Sequence, residues 1–358
     1  MMQARSKGLA LLACFPRMGL GLSREAKSQP VKLKRSLMSS FLSPEAAYVD
    51  MRKAPMLFET FLREEWLAPS LLEVVASAER GERHPLLKKE TDGVYSLDVF
   101  TEKFCQTFLE EVDNYFATGL PVRRPNSMNN YGLIVNEIGL RPALTDFQQK
   151  VLRPLAALLF PEIGQSFGAH HSFMVQYRPN EDLGLDMHTD DSDVTFNVCL
   201  GDKFEASGLT FCGGVGKSDH RQFSYQYNHV PGRAVLHLGT RRHGADDIYT
   251  GTRRNLIVWS HNLEYRASDA YVKRMYNYEK EQGPPDVRCL SYTHDRDYNA
   301  YKDYPPGVTK DNAQRAWCPP PMGCYDQMDT VLKTSNQRGP LLQKKKQKAD
   351  SSEDDTKK

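Results

Sequence analysis

One spacing constrains this chain more than any other. His188-Thr189-Asp190 is followed far downstream by His243, and Arg253 comes ten residues after that. Alternate residues of a β-strand point to the same face. His188 and Asp190 can therefore aim at one point, with Thr189 turned away. His243 would complete a set of two imidazoles and one carboxylate. Such a set occupies one face of a metal, leaves positions open on the other, and suits non-haem Fe(II). The short motif alone is weak evidence. With 10 histidines and 45 acidic residues in 358, roughly one His-x-acid match is expected by chance. The surroundings must carry the reading.

Those surroundings read as β-structure. Phe173–Tyr177 is strand-like, and Arg178-Pro179-Asn180-Glu181-Asp182 is a turn or loop. Val194–Leu200 alternates apolar with smaller or polar residues, as a half-buried strand does. Leu209–Cys212, Arg233–Leu238 and Asn255–Trp259 are further candidates. Short strands separated by turn signals point to a sandwich or barrel.

Two segments carry a resemblance. The run MVQYRPNEDLGLDMHTDDSDVTFNVCLG and the run GRAVLHLGTRRHGADDIYTGTRRNLIVWS are similar to the iron-site segment and the distal-histidine and arginine segment of lysyl hydroxylases. On them the region 173–260 resembles the Fe(II)- and 2-oxoglutarate-dependent dioxygenases of the prolyl and lysyl hydroxylase type. The resemblance implies an α+β fold: a double-stranded β-helix, or jelly roll, with flanking N-terminal helices. It implies Fe(2+) held by His188, Asp190 and His243, which would be both the metal ligands and the catalytic set. It implies 2-oxoglutarate as cosubstrate, O2 as the second reactant, and L-ascorbate as reductant. The far carboxylate of 2-oxoglutarate would pair with Arg253, whose planar fork suits a carboxylate. Arg254 rivals Arg253 for this role, and neighbours in a strand face opposite ways, so at most one can fill it. Tyr177 matches a family tyrosine that would bond the cosubstrate.

The rest of the chain sets the frame. Net charge +2, 40% hydrophobic and 26% charged residues are ordinary for a soluble globular protein and suggest no nucleic-acid partner. Seven cysteines without regular spacing argue against a disulfide framework, and Cys199 and Cys212 read as reduced core residues. Residues 1–42 are basic and acid-poor, a disordered or mitochondrial-targeting segment, with an apolar run too short to span a membrane. Residues 43–167 read as a helical N-terminal region. Within it 43–81 is one helical stretch, and Thr101–Ala117 carries a stripe of Phe104, Phe108, Leu109, Val112, Tyr115 and Phe116. Thr145-Asp146-Phe147-Gln148 looks like a capping box, and Pro154 should kink the helix that follows or divide it into two pieces. Residues 168–262 form the jelly-roll domain and 263–329 a flanking region. Within the latter Ser268–Glu281 is expected to be helical, and Cys318 and Cys324 offer at most half a zinc site. Residues 330–358 form a disordered Lys-rich tail. The expected location is intracellular: cytoplasmic by default, with mitochondrial or nuclear residence left open by the two basic ends.

Three functions compete at this stage. The first is hydroxylation of a protein lysyl or prolyl side chain. The others are oxygenation of a small molecule or lipid on the same fold, and a catalytically silent binding module. An intact donor set beside Arg253 speaks against the last. Asp191, Asp193, Asp246 and Asp247 lie close enough in sequence to approach the site.

Overall fold

The computed structural model describes residues 43–201, 203–274 and 279–291. The basic N-terminal segment, Cys318, Cys324 and the Lys-rich tail lie outside the described residues. No helix among the described residues is long and apolar enough to cross a membrane.

Thirteen strands are described. They are β1 (Lys88–Thr91), β2 (Val94–Asp98), β3 (Gly132–Leu133), β4 (Ala169–Tyr177), β5 (Leu185–His188), β6 (Val194–Gly201) and β7 (Phe204–Ala206). The remainder are β8 (Leu209–Gly214), β9 (Phe223–Tyr227), β10 (Arg233–Leu238), β11 (Arg241–Ala245), β12 (Ile248–Gly251) and β13 (Arg253–His261). A seven-stranded sheet has the order β1-β2-β10-β6-β13-β4-β3, and a four-stranded sheet the order β5-β11-β8-β9. Strands β7 and β12 form a separate ribbon. All the pairings are antiparallel. The two sheets face each other across one apolar layer, the sandwich of a jelly roll.

The period-two pattern of the large sheet assigns its faces. Met174, Phe196, Val198, Ala234, Leu236, Leu256 and Val258 pack outward against the N-terminal helices. Phe173, Val175, Tyr177, Val235, Ile257 and Trp259 point inward and meet Leu185, Leu209, Phe211 and Ala245 of the small sheet. Strand β6 is consequently buried at every position, not half-buried as its alternation suggests. Its polar members face the inter-sheet space, where they have chemical work rather than solvent to meet.

The N-terminal region is less helical than its sequence indicates. Residues 43–81 hold only two α-helices, Pro44–Tyr48 and Leu71–Glu79, with 3-10 turns between them. Pro55 and Pro69 break the stretch by removing N–H donors and constraining the residues before them. Strands β1 and β2 also fall here, joined through Asp92-Gly93, and β2 pairs with β10. Gly93 adopts φ 70° at this turn, so Asp-Gly between strand-like residues was a legible hairpin signal. The helix Glu102–Ala117 buries Phe104, Phe108, Leu109, Val112 and Tyr115 as expected, but Phe116 is 39% exposed.

Thr145 is not an N-cap. Its helix begins at Arg141, and the Thr145 hydroxyl donates back to the Arg141 carbonyl. A π-turn, Gln148–Leu152, separates Arg141–Phe147 from Arg153–Leu159. The wider turn absorbs Pro154, which has no N–H to give and would crowd a regular turn. Beyond the sheets, helices cover Leu263–Arg266 and Asp269–Arg274.

Cys212 overturns its sequence reading. It is joined to Cys289 across 77 residues, while Cys199 is a buried core residue. The link ties the segment 279–291 to the outer side of the small sheet. The Arg242 guanidinium donates to the Cys289 carbonyl at 2.7 Å, and the Ser291 hydroxyl donates to Asp186 at 3.1 Å. Closing so long a loop stabilises mainly by restricting the unfolded chain. The C212S/C289S double variant is expected to lose about 2–4 kcal/mol of stability. Adding dithiothreitol to the unaltered protein should produce the same drop in denaturation midpoint, and a midpoint indifferent to reductant would contradict the link.

Candidate active site

The donor set lies where the small sheet turns its inner face to the large one. Strands β5 and β11 pair directly at His188 and His243, but the next pair is Leu185 with Ala245. Strand β5 therefore has an extra residue at Asp186-Met187, a β-bulge. The bulge lets both Leu185 and His188 point inward while Asp186 and Met187 turn outward. The two imidazoles lie 4.4 Å apart, centroid to centroid.

The tautomers follow from the backbone. His188 Nδ1 is 2.7 Å from the Asp186 carbonyl, and His243 Nδ1 is 2.9 Å from the Arg241 carbonyl. A carbonyl only accepts, so both Nδ1 atoms carry protons and both Nε2 atoms present lone pairs. Asp190 lies just beyond the end of β5. Its amide is fixed by the Gly239 carbonyl at 2.9 Å. A side chain at Gly239 would strike the Ser192 carbonyl, its Cβ coming within 2.0 Å, so the approach of these two loops requires glycine. Asp190 Oδ1 is 3.4 Å from His188 Nε2, and Oδ2 is 3.7 Å from His243 Nε2. The three ligand atoms all lie within 4.8 Å of one another and all three residues are buried.

The protonation states suit a cation. Burial pushes the His243 imidazole down, against the opposing pull of Asp190. Burial alone would raise Asp190, but the His243 and His188 imidazoles outweigh it and hold the carboxyl well below the usual range. A neutral His243 imidazole and an ionised Asp190 carboxylate are forms that a divalent metal binds. Thr195 Oγ1 donates to Asp190 Oδ2 at 2.6 Å and contacts Ser192 Oγ at 2.6 Å. Phe211 and His237 flank the His243 ring, with centroids at 5.7 and 4.5 Å. Groups that orient ligands are commonly worth 10–100-fold in metal affinity. Thr195→Val keeps the shape and removes the donor, so metal titration should show affinity about tenfold weaker with the fold unchanged. Unaltered affinity would mean that Asp190 needs no such support.

The cavity beside this set is lined by Tyr177, Asn197, Arg253, Asn255, Phe173 and Trp259 among others. Arg253 is opposite Tyr177 in the β13–β4 register. It is 1% exposed, its guanidinium lies 4.5 Å from the Tyr177 ring centroid, and Nη1 donates to the Ser207 carbonyl at 2.8 Å. Arg253 Nε is buried with no partner, a donor suited to an anionic ligand. Burial lowers its pKa. Arg254 faces the other way and pairs with Asp113 at 2.6 Å. The donor chemistry of the three ligands and the orphaned guanidinium nitrogen together fit a ferrous ion and a carboxylate-bearing cosubstrate.

The neighbouring acids stay out of the cavity. Asp193 accepts from the Asn262 amide and from Arg266, and Asp191 pairs with Arg266. Asp246 accepts from Thr210 and Gln226, and neither it nor Asp247 lines the cavity. Thr195, Asn197, Asn255, Asn129 and Trp259 line the cavity without having been singled out from the sequence. For the β6 residues a signal existed. Thr195 and Asn197 are the polar members of an otherwise apolar strand.

Comparison with known proteins adds an independent line. Residues 51–165 match the family model described as OGFOD2-like domain. The human 2-oxoglutarate and iron-dependent oxygenase domain-containing protein 2 is 33% identical over 269 residues, covering 71% of this chain and 74% of that protein. The Arabidopsis thaliana 2-oxoglutarate and iron-dependent oxygenase domain-containing protein ICU11 is 33% identical over 218 residues. That alignment covers 58% of this chain but only 55% of the plant protein, about half its length. Among solved structures, a prolyl hydroxylase from Trichoplax adhaerens in complex with a hypoxia inducible factor peptide fragment aligns over 54% of this chain and 90% of that one. Its identity is 15% and its TM-score 0.39.

Proposed function

Because the chain belongs to the family of 2-oxoglutarate and iron-dependent oxygenase domain-containing protein 2, we propose that it is an Fe(II)- and 2-oxoglutarate-dependent dioxygenase that hydroxylates a protein side chain, prolyl rather than lysyl. The observation that carries the oxygenase reading is the convergence of two Nε2 lone pairs and one carboxylate within 4.8 Å. When bound, ferrous iron, 2-oxoglutarate and O2 supply the oxidising power to put an oxygen atom into an unactivated C–H bond, with succinate and CO2 as co-products.

The chain's own residues do the rest. His188, Asp190 and His243 would hold the metal on one side and leave the cavity side open. Arg253 would pair with the far carboxylate of the cosubstrate, its desolvated guanidinium gaining more from a partner than an exposed one would. Thr195 keeps the Asp190 carboxylate turned toward the imidazoles. The apolar walls limit water around the reacting groups.

The preference for proline rests on the cavity's lining. Phe173 and Trp259 form an edge-to-face pair at 4.9 Å, with Ile257 and Met128 nearby in the lining. Asp190 is the only carboxylate among the lining residues. A lysyl ammonium would enter without a counter-charge, which is costly in a desolvated site. A neutral pyrrolidine ring has no such need and packs on aromatic faces. Ascorbate, as the reductant that keeps the metal ferrous, belongs to the same reading and rests on resemblance alone.

Ferrous-loaded protein is expected to form succinate from 2-oxoglutarate slowly alone and faster with a matching prolyl peptide, which should gain one oxygen by mass. Stimulation by lysyl peptides instead would reverse the substrate preference. Absence of both 2-oxoglutarate binding and turnover would remove the oxygenase reading.

A further inference from the structure

Residues 124–131 fold over the cavity before β3 begins, and they contribute Asn126, Met128 and Asn129 to its lining. This roof is tied down by its own side chains. Arg124 donates to the carbonyls of Asn126, Ser127 and Asn129 at 3.0–3.1 Å. Asp182 accepts from the Asn130 amide and side chain at 2.7 and 2.9 Å. His171 Nε2 donates to the Pro125 carbonyl at 2.8 Å. The roof is thus a built wall of the site.

A chain of obligatory donors runs through it. The backbone amides of Met128 and Asn129 both reach Asn126 Oδ1 at 2.7 Å. An N–H only donates, so this fixes which end of the Asn126 amide is oxygen. Asn126 Nδ2 then donates to Asn129 Oδ1 at 3.2 Å, which fixes Asn129 in turn. Asn129 Nδ2 consequently faces the Tyr177 hydroxyl, to which it donates at 2.9 Å. Asn129 is 1% exposed and Tyr177 3%.

A phenol has one proton. Tyr177 uses an oxygen lone pair on Asn129, so its O–H remains to be given elsewhere. Burial pushes the Tyr177 pKa up to about 12, so the proton is present at neutral pH. Tyr177 lines the cavity beside the Arg253 guanidinium. We propose that Asn129 is a positioning residue for the cosubstrate: by donating to the Tyr177 oxygen it turns the Tyr177 proton toward the carboxylate that Arg253 pairs with. The inference rests on the oxygenase reading above. It also gives the 51–165 family segment a part in the site, since residue 129 lies in that segment and outside the sandwich strands.

The test uses full-length protein loaded with Zn(II), which binds cosubstrate without turnover, and 2-oxoglutarate titrated by calorimetry. Tyr177→Phe should weaken binding about tenfold. Asn129→Leu should weaken it by a similar factor, yet add little in the Tyr177→Phe background, because the two act through one proton. Asn129→Asp is nearly isosteric but accepts where asparagine donates. It should capture the Tyr177 proton and cost more than tenfold, with the melting temperature close to that of the unaltered protein. In turnover with Fe(II), both Asn129 variants should raise KM for 2-oxoglutarate and leave kcat within about twofold. Asn129 variants that bind like the unaltered protein, or losses that multiply with Tyr177→Phe, would overturn the positioning role and leave the oxygenase reading intact. Unaltered protein that fails to bind 2-oxoglutarate would overturn both.

Discussion

His188→Ala is expected to abolish succinate formation from 2-oxoglutarate and to weaken divalent-metal binding by well over 100-fold. The scale follows from the surroundings. Outer partners alone are commonly worth 10–100-fold in metal affinity, and His188 supplies one of two imidazole nitrogen donors directly. Asp190 and His243 would remain, but a two-donor site gives up the facial geometry that holds the ion and orients its open positions. The metal-free variant should still fold. His188 contributes its ring beside His243 and a bond to the Asp186 carbonyl, and a single such loss is worth about 1–2 kcal/mol. Metal titration, thermal unfolding without metal and a succinate assay check the three parts separately. Retention of stoichiometric metal by the variant would refute the assignment of His188 as a ligand.

Arg253→Leu should separate stability from function. The guanidinium is 1% exposed with its Nε unpaired, and no carboxylate among the described residues forms an ion pair with it. Holding an uncompensated charge in the interior is unfavourable. Replacing it with an apolar side chain should leave the melting temperature of the ligand-free protein unchanged or higher. Affinity for 2-oxoglutarate should meanwhile fall on the order of 10²-fold, the usual cost of removing one partner of a desolvated charge pair. Arg254→Leu is the control. That residue faces the helices and meets Asp113, so its loss should not affect cosubstrate binding. A fall in affinity on Arg254→Leu, with Arg253→Leu silent, would exchange the two roles. Such opposite movements of stability and affinity are expected where a binding site stores unfavourable burial for its ligand.

Part of this arrangement was legible in residue order. His188-x-Asp190 at strand spacing, with His243 and Arg253 downstream, named the side chains that the fold gathers at one cavity. The alternation of β4, β6 and β13 named two faces. Apolar spacing made 43–81 look like one helical stretch, where Pro55 and Pro69 in fact break it, while Pro154 did mark a break in its helix. Other features depend on residues far apart. The β1–β2 hairpin carries its own Asp92-Gly93 turn signal, but only β10 supplies the edge that brings it into the large sheet. Cys212 looks like any small buried side chain until Cys289 arrives from 77 residues away. Asn129 sits in a Pro- and Asn-rich connector, where local turn propensity explains it fully.

The sequence by itself determined which groups are available and which faces of the strands they share, because alternation and donor chemistry are local properties. Only the tertiary structure decided which way each group donates and which charge goes unpaired. The bulge in β5, the close approach of Gly239 to Ser192 and the roof over the cavity are contacts between distant segments. Burial beside Tyr177 made Arg253 a desolvated cation, and pairing with Asp113 left Arg254 an ordinary one, although in the sequence the two are adjacent and alike.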